Sequence, residues 1–316
     1  RQLRRGGRAG FISDLSPAVF ETESLFTRVG TGSLGGKARG IAFMNLLLSS
    51  ENAPSELGGM DVRIPQCFVV ATDAFDEFME TGNLYPVAFR GGDDRDIARA
   101  FLEAPLPRRI EADLRMILAH VQYPLAIRSS SLLEDNMLHP FAGIYGTVML
   151  GNSAPSLEAR LEELRQAIKY VYATTFFRNA RAYLKNANRR TEEEKMAVVI
   201  QQLVGRRYDR RFYPHCSGVA HSYDYYAVDG ERPEDGVAHV ALGFGKIIVE
   251  GGAFVRFCPR RPEAPSRWSH NQHLVNSSQR WFYALDLEQP LTLQGARMES
   301  AMRLHDLDTA QRDGTL

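Results

Sequence analysis

Gly32-Ser33-Leu34-Gly35-Gly36-Lys37-Ala38-Arg39-Gly40 runs without a break into Ile41-Ala42-Phe43-Met44-Asn45-Leu46-Leu47-Leu48. The glycine-rich half reads as a tight turn. The apolar half suits a buried helix. Glycines let a backbone approach an anion closely, and a helix that follows offers free N–H groups at its start. Lys37 adds a point charge suited to a phosphate oxygen. The spacing is not that of a Walker loop, because no Ser or Thr follows the lysine. By itself the segment fits a phosphate cradle and an ordinary turn with an exposed lysine equally well.

Around this turn the chain has 316 residues, enough for a sizeable core and two domains or lobes. Lys plus Arg and Asp plus Glu are 38 each, so the formal net charge is zero. Dedicated nucleic-acid binders carry a basic excess, so this balance argues against one while leaving room for a local basic pocket. Cys67, Cys216 and Cys258 are far apart, with no C-x-x-C pair, and suggest neither a zinc site nor a disulfide framework. A reduced, cytoplasmic setting is expected. No apolar run approaches the ~20 residues of a membrane helix, and no membrane partner is expected. No signal peptide is visible. A chain that begins at Arg1 rather than Met is expected to be a piece of a longer protein.

Residues 1–29 open on a basic, glycine-bearing stretch and read as an arm or linker. Val62–Ala71 reads as a buried strand, after which Thr72 or Asp73 is expected to cap a helix through Phe75, Phe78 and Met79. Pro124–Ile127 is a short apolar strand that delivers Arg128. From Ser156, Leu161, Leu164, Ile168, Val171, Tyr172 and Phe176 recur at helical steps, and the pattern ends in Arg178, Arg181, Lys185, Arg189 and Arg190. Glu192–Glu194 mark a charged break. Strands are expected at Met196–Val204, Ser217–His221, Val237–Leu242, Ile247–Val249 and Phe254–Phe257, punctuated by glycines. A boundary near Thr191 therefore separates a mixed first lobe, 30–190, from a sheet-rich second lobe, 191–316. The part beyond Pro259 is polar and gives no clear pattern.

Four further segments bear on chemistry. Ile127-Arg128-Ser129-Ser130-Ser131 ends a strand in a guanidinium and three hydroxyls, donors suited to phosphate. The competing reading has Arg128 tether its loop to Glu134 or Asp135. Met196 to Val204 reads as a buried strand whose end, carrying Gln201, is suited to an adenine edge. Ser217-Gly218-Val219-Ala220-His221 and Gly243-Phe244-Gly245-Lys246 each fit an ordinary strand and turn. His221 reads as a core or edge histidine rather than a catalyst.

Taken in order, these segments resemble the ATP-binding domain shared by phosphoenolpyruvate synthase, pyruvate phosphate dikinase and the rifampin phosphotransferases. That family opens with a G-G-K turn into a helix, matched by Gly35-Gly36-Lys37. Its P-x-x-F-x-V strand is matched by Pro65 to Thr72. Its R-S-S…E-D…F-A-G…T run is matched by Arg128, Ser129, Ser130, Glu134, Asp135, Phe141, Ala142, Gly143 and Thr147, the most specific part. Met196–Gln201, Ser217–Val219 and Gly243–Ile248 match the later motifs. The resemblance runs from about Gly30 to about Gly252.

The resemblance implies an α+β fold of the ATP-grasp type, two lobes with a nucleotide cleft between them. It implies ATP as ligand, with Mg2+ bridging the phosphates. Lys37 and Arg128 would contact the phosphates and act in catalysis, beside Gly35, Gly36, Ser129 and Thr147. Gln201, Leu203 and Val204 would line the adenine pocket. The activity implied is that of an ATP-dependent phosphotransferase. A phosphoryl group passes to a histidine on a carrier domain outside this chain, then to pyruvate or another acceptor. Relatives with this ATP lobe also act on an antibiotic hydroxyl or a glucan, and a nucleotide-sensing module without chemistry is the alternative class. The family's closing D/E-x-E and Gln-x-Arg-Pro strands are not matched after Gly252. Asp286-Leu287-Glu288 has the bare spacing and stays unassigned, so no metal ligands are named. Gln294-Gly295-Ala296-Arg297 lacks the proline and the strand context. The expected fragment is a nucleotide-binding part, truncated or divergent at its last strands and not active alone.

Overall fold

The apolar runs of the first two hundred residues assemble into one six-stranded sheet. The computed structural model describes residues 12–22, 24–49, 62–131, 143–227, 230–262, 278–299 and 301–316. Within these the chain opens with β1 (Ser13–Asp14), α1 (Ala18–Glu21), β2 (Phe26–Val29) and α2 (Gly35–Ser49). There follow β3 (Cys67–Val70), α3 (Thr72–Thr81), α4 (Tyr85–Phe89), α5 (Asp94–Glu103) and α6 (Arg108–His120). Next are β4 (Leu125–Ser131), β5 (Thr147–Leu150), α7 (Leu157–Thr174), α8 (Arg178–Asn186) and β6 (Met196–Gln202). The later part holds β7 (Arg206–Tyr208), β8 (Arg211–Tyr213), β9 (Ser217–His221), β10 (Val237–Ala241), α9 (Lys246–Val249) and β11 (Val255–Phe257). It closes with β12 (Trp281–Asp286), β13 (Thr292–Gln294), β14 (Arg297–Glu299), β15 (Met302–Asp306) and α10 (Leu307–Arg312). This is a mixed α/β fold with several sheets and helices.

The chain divides into two units, one of Arg1–Leu203 with Pro290–Ser300 and one of Val204–Gln289 with Ala301–Leu316. The sheet of the first unit has the order β1-β2-β3-β6-β4-β5. β1, β2 and β3 run parallel, and the β3–β6, β6–β4 and β4–β5 pairings are antiparallel. One face carries Phe68, Val70, Ile127, Val198 and Ile200 and is covered by the apolar sides of α3, α5, α6 and α7. The other carries Cys67, Val69, Ala197 and Val199 and is covered by Ala38 and Ile41 of α2. Strands buried on both faces read as continuous apolar runs rather than alternating ones. β3 and the first five residues of β6 fit that rule.

β6 shows what a boundary near Thr191 would separate. That boundary puts Met196–Gln202 in the second lobe, yet the strand pairs on both sides with strands of the first unit. The backbone N–H and C=O groups along both edges of this buried strand need partners, and β3 and β4 supply them.

Other local expectations are changed by packing. Thr72 and Asp73 do not cap α3, whose N-cap is Ala71 with no side-chain cap bond. Their oxygens serve the glycine-rich turn instead. The helical pattern from Ser156 begins as expected, with the Ser156 side chain accepting from the Ala159 N–H, but it is two helices. The break follows Thr174, whose hydroxyl donates to the Val171 carbonyl at 2.7 Å and accepts the Gly146 N–H at 2.9 Å. Ile247–Val249, expected as a strand, lies in the single-turn helix α9. Three apolar residues cannot distinguish the two states by period, and here one turn buries Ile247 and exposes Val249. Gln294–Arg297, which lacked strand context in the sequence, closes the β13–β14 hairpin with Gln294 opposite Arg297. Met298 from this hairpin joins the core of the first unit.

Helix α2 is less buried than its apolar run implied. Ile41 packs on the sheet, whereas Phe43, Met44, Leu46 and Leu47 are about half exposed or more. An unbroken apolar run circles the helix, and only one stripe of it can face the sheet.

The second unit holds a three-stranded sheet, β11-β10-β9, and a four-stranded sheet, β15-β12-β8-β7. Tyr213, Phe282, Ala284 and Ala310 form its small core. Arg211 is fixed by Asp313 at 2.6 and 3.1 Å, and the Tyr213 hydroxyl donates to the same carboxylate at 2.9 Å. Among the described residues no helix is long and apolar enough to cross a membrane.

Candidate functional site

The glycine-rich turn is held from below by the start of α3. The Gly32 N–H donates to Asp73 Oδ1 at 3.0 Å, and the Ser33 N–H donates to Thr72 Oγ1 at 3.0 Å. The Thr72 N–H returns a bond to the Ser33 carbonyl at 3.0 Å. Asp73 is held in turn by Arg109 at 3.1 Å. Burial would raise the Asp73 carboxyl, but the N–H groups of Gly32 and Thr31 and the Arg109 guanidinium outweigh it and hold it below the usual range. The charged form of Asp73 is therefore what ties the turn down.

The turn meets the tip of β4 at close range. Gly35 adopts φ +69°, and a β-carbon there would lie 1.8 Å from the Ser130 carbonyl oxygen. Glycine is required here by contact between two parts of the chain itself. The Ser130 hydroxyl completes the joint: it donates to the Leu34 carbonyl at 2.8 Å and accepts the Ala38 N–H at 3.0 Å. That takes up one of the N–H groups that a helix start leaves unsatisfied. Lys37, in the first turn of α2, donates from Nζ to Ser129 Oγ at 3.2 Å. The lysine and the serine hydroxyls thus come together from segments 92 residues apart.

Arg128 sits one residue before this joint. Its guanidinium donates to Gln201 Oε1 at 3.0 Å. Thr147 is the residue directly opposite Arg128 across the β4–β5 pair, and it is exposed. Directly paired residues project to the same side of a sheet, so Arg128 and Thr147 share the face that α2 covers. Cys67 lies under the same face. Burial pushes its thiol up to about 12, against smaller opposing effects from Arg128 and Gln201. A thiol so held stays protonated and is no nucleophile.

The end of β4 is anchored by a buried carboxylate. Glu194 is 2 % exposed. It accepts the Ser131 hydroxyl at 2.8 Å, the Tyr145 hydroxyl at 2.8 Å and the Lys195 N–H at 3.2 Å.

The structure thus brings together Gly35, Gly36, Lys37, Arg128, Ser129 and Thr147 around the α2–β4 joint, with Gln201 bonded to Arg128. Leu203 is buried and closes the first unit, where its N–H donates to the Pro124 carbonyl at 2.9 Å. Val204 is exposed and begins the second unit. Glu134, Asp135, Phe141 and Ala142 lie outside the described residues, and with them the reading of Arg128 as a tether to Glu134 or Asp135. The sequence marks Ser130 as a phosphate donor and Thr72 and Asp73 as caps of their own helix, but not that these side chains, with Glu194, hold the turn and the end of β4. For Thr72 and Asp73 the signal is a hydroxyl and a carboxylate at a helix start, which by local pattern alone point to their own helix. Glu194 carries no such signal, because in the sequence it is one of the charged residues 192–194.

Among the described residues no three His, Cys, Asp or Glu side chains come together as a metal cage. Asp286 Oδ1 accepts the Glu288 backbone N–H at 3.1 Å, which makes the bare D-x-E spacing a local turn. Mg2+ in phosphoryl transfer needs only one or two carboxylates, because phosphate oxygens and waters complete its shell.

Compared with known families, residues 31–286 match the model described as pyruvate phosphate dikinase, AMP/ATP-binding domain. No match to a curated protein is found. The matched stretch contains the α2–β4 joint, Arg128, Thr147 and Gln201, and extends through β12. The chain belongs to the pyruvate phosphate dikinase AMP/ATP-binding domain family.

Proposed function

We propose that this chain is the ATP-binding part of a dikinase-type phosphotransferase, with Lys37 and Arg128 holding the phosphates. The observation that carries the reading is the joint itself: the Lys37 ammonium meets the Ser129 hydroxyl at 3.2 Å, at a helix start packed on the strand that presents Arg128. An ammonium, a guanidinium, hydroxyls and helix N–H groups are the donors that phosphate oxygens need. Arg128 offsets the charge that develops as a phosphoryl group leaves. Gly35 and Gly36 let the turn seat against β4 with the helix start beside the phosphates, Thr147 lies beside them, and Gln201, Leu203 and Val204 line the adenine side. The nucleotide arrives as Mg·ATP, the metal being carried largely by the phosphates. The phosphoryl group then passes to a histidine on a carrier domain outside this chain and on to an acceptor such as pyruvate. An ATP-grasp fold and a cytoplasmic setting belong to the same proposal.

Isothermal titration with Mg·ATP tests the binding part. The chain should give a saturable heat. Lys37→Ala and Arg128→Ala should each weaken binding by about tenfold or more, as expected for one charge-assisted contact, with unchanged circular dichroism. Absence of heat at millimolar Mg·ATP refutes the proposal. Normal phosphoryl transfer by either variant in the full-length protein refutes the roles given to the two residues.

A further inference from the structure

The basic end of the helical pattern has no part in the site above. Arg178, Arg181 and Lys185 follow one another at steps of three and four, so they share one face of α8. Together with Gly91, Gly92 and Asp93 they line an open, solvent-facing cavity of about 540 Å³ in the first unit.

Charge in this cavity is unbalanced. Among the described residues none of the three cations forms an ion pair. The one carboxylate in the lining, Asp93, is already engaged by Arg95, whose Nη2 donates to it at 2.8 Å and whose backbone N–H donates at 2.9 Å. Asp94 is used elsewhere: its Oδ1 accepts the Arg178 N–H at 2.8 Å and so caps the start of α8. Three positive side chains therefore share the cavity with one carboxylate, Asp93, which Arg95 bonds and which Arg178 also helps to keep charged.

The central cation is placed rather than loose. Arg181 Nη2 donates to the Gly92 carbonyl at 3.1 Å. Gly91 adopts φ +78°, and a β-carbon there would lie 2.8 Å from Arg181 Nη1, so the turn and the guanidinium are in close contact. The buried Nε–H of Arg181 has no acceptor among the described residues. The guanidinium is thus oriented by a backbone carbonyl rather than neutralised by a carboxylate.

We propose that this cavity is a binding site for a small molecule bearing a phosphate or pyrophosphate group, separate from the Lys37–Arg128 site. A phosphate monoester is largely dianionic at neutral pH, which matches the excess charge. The three cations bind it as a set, Arg181 by directed hydrogen bonds and Lys185 as a point charge.

The test is a titration of the full chain with inorganic pyrophosphate, read at the backbone amides of Gly91, Gly92, Arg181 and Lys185 by nuclear magnetic resonance. Sodium chloride at matched ionic strength is the control. The proposal expects saturating shifts at these amides that chloride does not reproduce. Arg181→Gln and Lys185→Gln should each weaken the curve by about tenfold while leaving Mg·ATP titrations unchanged. Shifts that rise linearly without saturation, that chloride reproduces, or that persist unchanged in both variants overturn it. Because the readout is local to α8 and the turn before α5, a failed Mg·ATP titration leaves this result interpretable.

Discussion

Replacing Gly35 by alanine tests the geometry on which the candidate site is built. The new β-carbon would lie 1.8 Å from the Ser130 carbonyl oxygen, 2.5 Å from its carbonyl carbon and 2.7 Å from its hydroxyl. Two of these atoms are backbone, so no rotamer change relieves the contact. Either α2 or β4 must withdraw. Withdrawal breaks the Ala38–Ser130 and Ser130–Leu34 hydrogen bonds, about 1 kcal/mol each. Holding alanine in the left-handed region costs about 1–2 kcal/mol more. The sum is about 3–4 kcal/mol, a large share of the roughly 5–15 kcal/mol by which native proteins are stable. Gly40 is the control within the same helix. Nothing lies within 4 Å of a β-carbon there, so Gly40→Ala should stabilise by about 0.5–1 kcal/mol. Urea unfolding of the first unit measures both. With a slope of about 3 kcal/mol per molar, the Gly35→Ala midpoint falls by about 1 M and the Gly40→Ala midpoint rises slightly, at constant slope. A Gly35→Ala midpoint equal to that of the parent would show that α2 and β4 do not meet as described.

Three further outcomes follow from single sites. Glu194→Ala removes the acceptor of two hydroxyls and one N–H in a buried setting and should destabilise by about 3 kcal/mol, with Glu194→Gln milder; equal midpoints for the parent and Glu194→Ala would contradict the assigned bonding. Asp73 has its carboxyl held below the ordinary range in the fold. Its contribution is therefore fully present above the unfolded value and is lost as pH falls through the folded one. Stability should decline from about pH 4 downward, and Asp73→Asn should flatten that decline; an unaltered slope would count against the turn–carboxylate contact. The cysteines differ in access, with Cys216 exposed and Cys67 and Cys258 buried. A thiol reagent at pH 8 should modify Cys216 in the native protein and reach Cys67 only on unfolding, as its thiol is pushed up to about 12; rapid native labelling of Cys67 would show that β3 is not covered by α2.

Much of this protein is decided locally, and those parts are legible in its residues. The turn at Gly35 and the helix after it, the Ser156 start of α7, the all-apolar β3, the apolar first five residues of β6, and the strand that carries Arg128 each follow from period, capping and branching within a few residues. The order of motifs is likewise a property of the sequence, and it carries the family resemblance without any coordinates. What the sequence could not decide is which segments meet. Lys37 and Ser129 are 92 positions apart, and Arg128 and Gln201 are 73. Whether such pairs form depends on strand order, and placing β6 between β3 and β4 is a choice among pairings that the strands' own propensities do not rank. Local chemistry can even mislead, because a side chain able to cap its own helix can bond elsewhere at similar gain. Thr72 and Asp73 do so, holding Gly32 and Ser33 rather than α3. Gly35 sums up the division. Its sequence context shows a glycine at a turn before a helix, a feature that many turns share. Only the packed structure shows the Ser130 carbonyl where a β-carbon would be, because that atom comes from a strand nearly a hundred residues away and reaches the turn through the sheet.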